Sequence, residues 1–287
     1  WQYLIQDLFM NKFILGTAQF GLDYGINNQH GKPDKSTVYE ILNLAYEIGI
    51  NTLDTAYSYG TSHEIIGNFH RDYNFYFEVN TKFTSSENEV FIDKIKNACD
   101  ILKVEKLNAC FYHSYKDYCN GNLRPYFSKL MDLKLIKQVG VSVYTNEELE
   151  VVINDPLINI IQLPFNLFDN FNQRGELILK AKDKGKIIQV RSVFLQGLFF
   201  LDPKLLKGNL VELVNDLNFL NEIVSDFDIS MSDLCLQYVL NFKEIDIEEF
   251  ELNKDILLTS GDPYINEHLL SLMTQWDRNH KLEKIIK

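Results

Sequence analysis

Short apolar runs alternate along the chain with longer stretches in which hydrophobic residues return every three or four positions. The runs fall at 12–15, 52–54, 76–81, 108–112, 138–143, 158–163, 187–191 and 256–259. They are rich in Ile, Val, Phe and Tyr and nearly continuous in apolar character, as strands buried on both faces are. Between them, 35–48 sets Val38, Ile41, Leu42, Ala45 and Ile48 on one stripe and stops at Gly49, a residue suited to a helix terminus. The segment 87–102 spaces Val90, Ile95, Ala98 and Ile101 in the same way. Further helices are expected at about 123–134, 146–153, 174–184 and 263–276, and 210–242 reads as two helices broken near 228–230.

Strand–helix alternation repeated eight times predicts an α/β fold of the (β/α)8 TIM-barrel type, folded as a single domain. The rival is an open doubly wound sheet, whose cue is a glycine-rich turn after the first strand. Gly16-Thr-Ala-Gln-Phe-Gly21 stands there instead and does not match G-x-G-x-x-G. The acidic stretch 244–251 reads as a solvated connection ahead of the last strand. The barrel is expected over 11–287. Residues 1–10 lack a basic start and a small-residue cleavage site, so they read as an N-terminal extension rather than a signal peptide. Met10 stands directly before the first strand and is expected to be the natural start, with 1–9 as an upstream extension.

Composition changes the picture mainly by exclusion. The 287 residues are 46% hydrophobic and 24% charged, ordinary usage for a chain that buries a large core. A net charge of −12 opposes non-specific attraction to nucleic acid and to anionic membranes, so neither is expected as a partner. No apolar run approaches the length of a membrane span. The four cysteines form no C-x-x-C pair and read as reduced thiols, which fits a cytoplasmic protein. None of the six histidines forms H-x-x-x-H, and no metal is expected.

In a barrel, chemistry collects at the carboxyl ends of the strands. Those ends carry Asp54, Lys82 and His113 in turn, and Tyr59 follows Asp54 in Leu53-Asp-Thr-Ala-Tyr-Ser-Tyr-Gly60. Singly, each has a plain structural reading: a loop cap, a surface lysine, a core histidine, one of fifteen tyrosines. Together they form a chemical unit. A free phenol has a pKa of about 10 and exchanges protons poorly near neutrality. A neighbouring ammonium lowers that value, a carboxylate keeps the ammonium charged and placed, and an imidazole can orient a carbonyl oxygen. Carbonyl reduction needs such a proton donor once a cofactor brings the hydride.

These residues, with Asn80-Thr-Lys82, Tyr112-His113, Gly140-Val-Ser142, Gln162-Leu-Pro-Phe-Asn-Leu167 and 192–197, resemble the aldo-keto reductases from about Phe13 to Leu272. The opening 15–25 is similar to bacterial members found among surface-polysaccharide genes. The resemblance implies a catalytic tetrad of Asp54, Tyr59, Lys82 and His113, with Tyr59 rather than Tyr57 as proton donor. It implies a dinucleotide held by Gly16, Thr17, Ser142, Gln162, Arg191, Ser192, Phe194, Gln196, Gly197 and Ser260. Ser142 and Gln162 match positions that bond the nicotinamide carboxamide. Arg191 stands where a residue, more often Tyr, stacks on the ring, which a planar guanidinium can also do.

Departures from the family pattern matter as much. Val143 replaces the usual Asn, and His63 replaces the usual Glu after Ser62, whose plainer reading is a helix cap. NADP-preferring members place Lys or Arg after the last strand, where this chain has Thr259, Ser260, Asp262 and Ile265. Without charge-assisted bonds to a 2′-phosphate, NADP preference weakens. The expected cofactor is therefore NADP(H) or NAD(H): NADP by likeness, NAD by the missing cations. The expected partner is a small-molecule carbonyl substrate, with the chain a monomer or small homo-oligomer. Two alternatives stand beside the reductase. One is a low-turnover regulatory protein on the same fold, as among potassium-channel β-subunits. The other is a lyase or epimerase using Tyr112, Tyr115 or Asp117 as an extra acid or base. Substrate choice would fall to loops 19–24 and 114–124 and the segment after Gly197, over a site left open by a short βα loop.

Overall fold

Eight parallel strands pair edge to edge in chain order and close on themselves. The structure is a computed structural model that describes residues 13–28, 30–84, 91–242, 244–245 and 247–250. The strands are β1 Phe13–Gly16, β2 Thr52–Asp54, β3 Glu78–Phe83, β4 Leu107–Tyr112, β5 Ile136–Ser142, β6 Ile160–Pro164, β7 Ile187–Arg191 and β8 Ile247–Phe250. Closure leaves no unpaired edge among the described strands, the feature that separates this barrel from the open-sheet rival. No helix among the described residues is long and apolar enough to cross a membrane.

Seven strands and most helices fall within a few residues of the apolar pattern. The largest shift is in β3, which starts at Glu78 and runs on to Phe83, so Lys82 lies inside the strand. Tyr76, expected at its start, is 53% exposed, whereas Phe83 is fully buried. The break expected near 228–230 separates the helices Val214–Asp226 and Met231–Leu240. The helix expected from 174 begins at Phe171, because the Asn170 side chain accepts a hydrogen bond from the Asn172 N–H and caps it there.

The helix Ser62–Tyr73 is not visible in the periodicity, and neither are the short helices Ala18–Gly21 and Tyr115–Asn120. The buried face of Ser62–Tyr73 mixes Ile66 and Phe69 with His63, Gly67 and His70. His70 is fully buried; its Nε2 accepts from the Phe77 N–H, and its Nδ1 lies 2.7 Å from the Leu102 carbonyl. A Cβ on Gly67 would stand 1.8 Å from the Ile101 carbonyl oxygen. Glycine is thus what lets this helix meet Phe91–Leu102 backbone to backbone.

The eighth strand corrects the expectation for the acidic stretch 244–251. Ile247–Phe250 is not a connection ahead of the last strand but the strand that closes the barrel, with Ile247 opposite Gln189 and Phe250 opposite Leu15. A gap between β7 and β1 calls for backbone donors and acceptors, which any extended segment supplies whatever its side-chain charge. The run 256–259 and the helix 263–276 lie outside the described residues, as do residues 1–10 and the start of the helix expected from 87.

The main hydrophobic layer lies between the strands and the surrounding helices. A second, smaller cluster comprises Ala109, Phe111 and Ile160, with Ile187 packed against it. A Cβ on Gly140 would come within 2.3 Å of the Phe111 ring, so the missing side chain on β5 is what admits that ring. Lys82 Nζ stands 6.0 Å from the Phe111 ring centroid, which puts the apolar cluster beside the site.

Candidate active site

The site is built around a buried ion pair. Asp54 ends β2, Lys82 lies near the end of β3, and the Lys82 ammonium donates to Asp54 Oδ2. The two side chains are 0% and 3% exposed. Asp54 Oδ1 faces two more donors, Gln162 Nε2 and Gln189 Nε2, each 3.2 Å away. Removing one partner of such a buried pair costs about 3–5 kcal/mol, because the other charge is left uncompensated.

The loop after β2 brings Tyr59 over this pair. Tyr59 is half-buried, and Lys82 Nζ lies 5.5 Å from its ring centroid. Tyr57 faces elsewhere: it stacks on Phe83 at 5.4 Å, with Lys94 Nζ 4.5 Å from its ring. Two glycines hold the loop in place. A Cβ on Gly21 would stand 1.8 Å from the Tyr59 carbonyl oxygen, and one on Gly60 would stand 2.4 Å from the Gly21 carbonyl oxygen. The backbones of Gly21 and Tyr59–Gly60 therefore touch directly, and Gly60 has the left-handed φ of 51° that this turn requires.

Buried hydroxyls complete the anchor. The Thr17 hydroxyl and backbone N–H both donate to the Asp54 carbonyl oxygen at 3.0 Å. Ser62 corrects its expected role, since Thr61 precedes the helix and no side chain caps it. The Ser62 hydroxyl instead lies 3.0 Å from Thr17 Oγ1 and 3.1 Å from Thr55 Oγ1, tying β1, β2 and the helix start together. Thr17 is fully buried, so in this structure its hydroxyl holds the end of β2.

His113 follows β4, its ring edge-on to Tyr59 with centroids 6.0 Å apart. Ser58 Oγ is 3.4 Å from its Nδ1. Burial, and next the positive charge of Lys82, pull the imidazole down to about 4, so it is neutral at pH 7. A neutral ring carries one N–H to offer a carbonyl oxygen. His63, the departure beside Ser62, is buried with its Nε2 2.9 Å from Thr81 Oγ1. Burial likewise holds it near 4.

Across the mouth, Ser142 ends β5, Gln162 lies in β6 and Arg191 ends β7. The Arg191 guanidinium lies 4.1 Å from the Tyr144 ring centroid, and its Nε is 3.3 Å from Ser142 Oγ. Among the described residues it pairs with no carboxylate. Gly16 ends β1 beside Asp54. Phe194 is buried against Phe200. In the turn after β7, Ser192, Leu195 and Gln196 have φ of 60°, 47° and 56°, followed by Gly197 at 88°. Such backbone costs non-glycine residues about 1–2 kcal/mol each. Neighbours hold it there: Ile26 N–H donates to the Gln196 carbonyl, and Asn166 Nδ2 donates to that of Ser192. Ser260 lies outside the described residues.

The periodicity gave no notice of Gln189 or Ser58. For Gln189 the signal was one polar residue inside the apolar strand Ile187-Ile-Gln-Val-Arg191. Of the three acid or base candidates for a lyase, Tyr115 is half-buried and stacks on Tyr118 with ring centroids 5.8 Å apart. Tyr112 is fully buried against Phe127 and Tyr118, and the Asp117 carboxylate takes the Ser114 hydroxyl at 2.6 Å.

At one end of a closed parallel barrel, then, an ammonium–carboxylate pair lies close to a phenol and a neutral imidazole. The sequence model of the Aldo/keto reductase family matches residues 12–248, and the chain belongs to that family. It is 22% identical over 292 residues to "Aldo-keto reductase YhdN" of Bacillus subtilis (strain 168), covering 89% of this chain and 84% of that protein. The holo form of an aldo-keto reductase from Bacillus halodurans superposes with a TM-score of 0.70 at 15% identity, over 92% of this chain and 91% of that one. MGS-M4, an aldo-keto reductase from a Medee basin deep-sea metagenome library, gives 0.65 at 15% identity, over 92% and 90%.

Proposed function

We propose that the protein is an NAD(P)(H)-dependent reductase that converts an aldehyde or ketone to its alcohol, with Tyr59 as the proton donor. The observation that carries this is the sealed Lys82–Asp54 pair lying beneath a half-buried Tyr59. The ammonium stabilises the phenolate that Tyr59 becomes when it gives up its proton, and Asp54 keeps that ammonium charged and fixed. His113, neutral at pH 7, donates its N–H to the carbonyl oxygen and orients the substrate. When bound, a nicotinamide supplies the hydride to the carbonyl carbon.

The donors at the mouth fit a dinucleotide. Arg191 offers a half-buried guanidinium with no carboxylate partner among the described residues, and the hydroxyls of Ser142 and Ser192 lie within 3.4 Å of it. Its planar group provides a stacking surface, and the strained turn 192–197 is the kind of backbone that gathers at ligand clamps. By the family resemblance, the segment around Ser260 corresponds to the one that grips a 2′-phosphate in NADP-preferring members, and it carries no Lys or Arg. NADH and NADPH are therefore expected to bind with comparable affinity.

The test is a fluorescence titration with each cofactor, followed by aldehyde turnover in the wild type and in Tyr59→Phe. Saturable binding of both cofactors, with turnover in Tyr59→Phe down by about a hundredfold or more, is expected for loss of the proton donor. Wild-type turnover in Tyr59→Phe would remove its role. Failure to bind either cofactor would sink the reductase reading, and a hundredfold preference for NADPH would sink the cofactor expectation.

A further inference from the structure

Gln189 is a fully buried amide inside an apolar strand, and among the described residues only one end of it is used. Its Nε2 donates to Asp54 Oδ1 at 3.2 Å, across 135 residues of sequence. Its Oε1 is buried and meets no donor among the described residues. An orphaned buried carbonyl is unfavourable, and a hydrocarbon side chain of the same shape would avoid it. A glutamine at this position is thus explained by its donor end alone.

Gln162 and Gln189 are register partners on β6 and β7, so two carboxamides lie side by side on the same carboxylate oxygen. Their uses differ. The resemblance gives Gln162 a second task, the carboxamide of a nicotinamide, whereas Gln189 lies one strand away and, among the described residues, donates to Asp54 alone.

We propose that Gln189 is a positioning residue for carbonyl reduction: its amide holds the Asp54 carboxylate in the orientation that engages Lys82, and keeps hold of it when Gln162 turns to the cofactor. The inference rests on the reductase reading above. An ionised carboxylate only accepts hydrogen bonds, so each N–H aimed at it favours the charged form. With that donor removed, Asp54 takes up a proton more readily. Lys82 then loses its counter-charge and its fixed place beneath Tyr59.

Gln189→Met keeps the length and apolar bulk of the side chain while removing both the donor and the orphaned carbonyl. The expected result is a kcat lower by about tenfold with the cofactor Kd within about twofold, since a charge-assisted hydrogen bond is lost and no cofactor contact is touched. The thermal midpoint should hold or rise, and the acidic limb of the kcat–pH profile should move to higher pH. A second readout needs neither cofactor nor turnover. The 13C carboxyl signal of Asp54, identified by its loss in Asp54→Asn, should titrate at higher pH in Gln189→Met than in the wild type.

An unmoved acidic limb with an unmoved Asp54 signal would overturn the proposal, even if kcat fell, because loss of packing alone gives that pattern. A wild type that neither binds cofactor nor reduces aldehydes would sink the parent reading instead, while the carboxyl titration still decides whether Gln189 holds Asp54. If Gln189→Met fails to fold, Gln189→Glu carries the decision. A second carboxyl against Asp54 Oδ1 should move both readouts further to higher pH, and no movement would overturn the proposal.

Discussion

Replacing Gly21 by alanine should displace Tyr59 from Lys82 without altering either side chain. The new Cβ would stand 1.8 Å from the Tyr59 carbonyl oxygen and 2.7 Å from the Ser62 nitrogen. Ordinary contact begins near 3.4 Å, so the two backbones must part by roughly 1.6 Å. Both neighbours are main chain, and no rotamer change can absorb the overlap. A misplacement of about 1 Å in a catalytic group can cost about a hundredfold in rate, and that is the fall in kcat expected here. Overpacking should lower stability by about 1–3 kcal/mol, which leaves a large barrel folded. The assay is steady-state reduction of a simple aromatic aldehyde, read as loss of nicotinamide absorbance, with cofactor Kd and thermal midpoint measured alongside. Gly185→Ala is the control: its φ of 72° carries some strain, but a Cβ there meets nothing within 4 Å. It should cost stability and leave kcat alone. A Gly21→Ala protein with wild-type kcat would refute the claim that this contact sets the position of Tyr59.

Two further outcomes follow from buried charge. His63 is held near 4 by burial, below its ordinary 6.5, so between those values the unfolded chain binds more protons than the folded one. Its contribution is therefore fully present above about pH 6.5 and is lost as the pH falls towards 4, on the order of 2–3 kcal/mol. Urea unfolding at pH 7 and pH 4.5 should show a smaller difference in His63→Asn than in the wild type, and an equal difference would contradict the assignment. Arg174 forms a double hydrogen bond to Asp169 at 2.5 and 2.6 Å, in a pair less than a tenth exposed. Arg174→Met should lose about 3–5 kcal/mol by denaturant unfolding, and adding Asp169→Leu should restore most of it. A double variant as unstable as the single one would show that the arginine acts through packing, or through its bond to the Tyr144 carbonyl, rather than through the paired charge.

The sequence by itself determined the repeating unit and where its chemistry lies. Continuous apolar runs separated by amphipathic stretches require strands covered on both faces, and Asp54, Lys82 and His113 fall at successive strand ends because of that spacing. Periodicity is a local property, and it failed where the structure depends on contacts between distant segments. The helix Ser62–Tyr73 packs through Gly67 and a buried His70, neither of which marks an apolar stripe. The acidic segment that became β8 is held by backbone pairing with β7 and β1, to which side-chain pattern is indifferent. The tertiary structure alone decided that Ser62 ties three elements together, that Gly21 and Gly60 seat Tyr59, and that Gln162 and Gln189 meet on one oxygen of Asp54. The physical reason is the barrel's closure. A period of two says which side chains share a face, but only the register around a closed sheet says which strands' faces meet at one point.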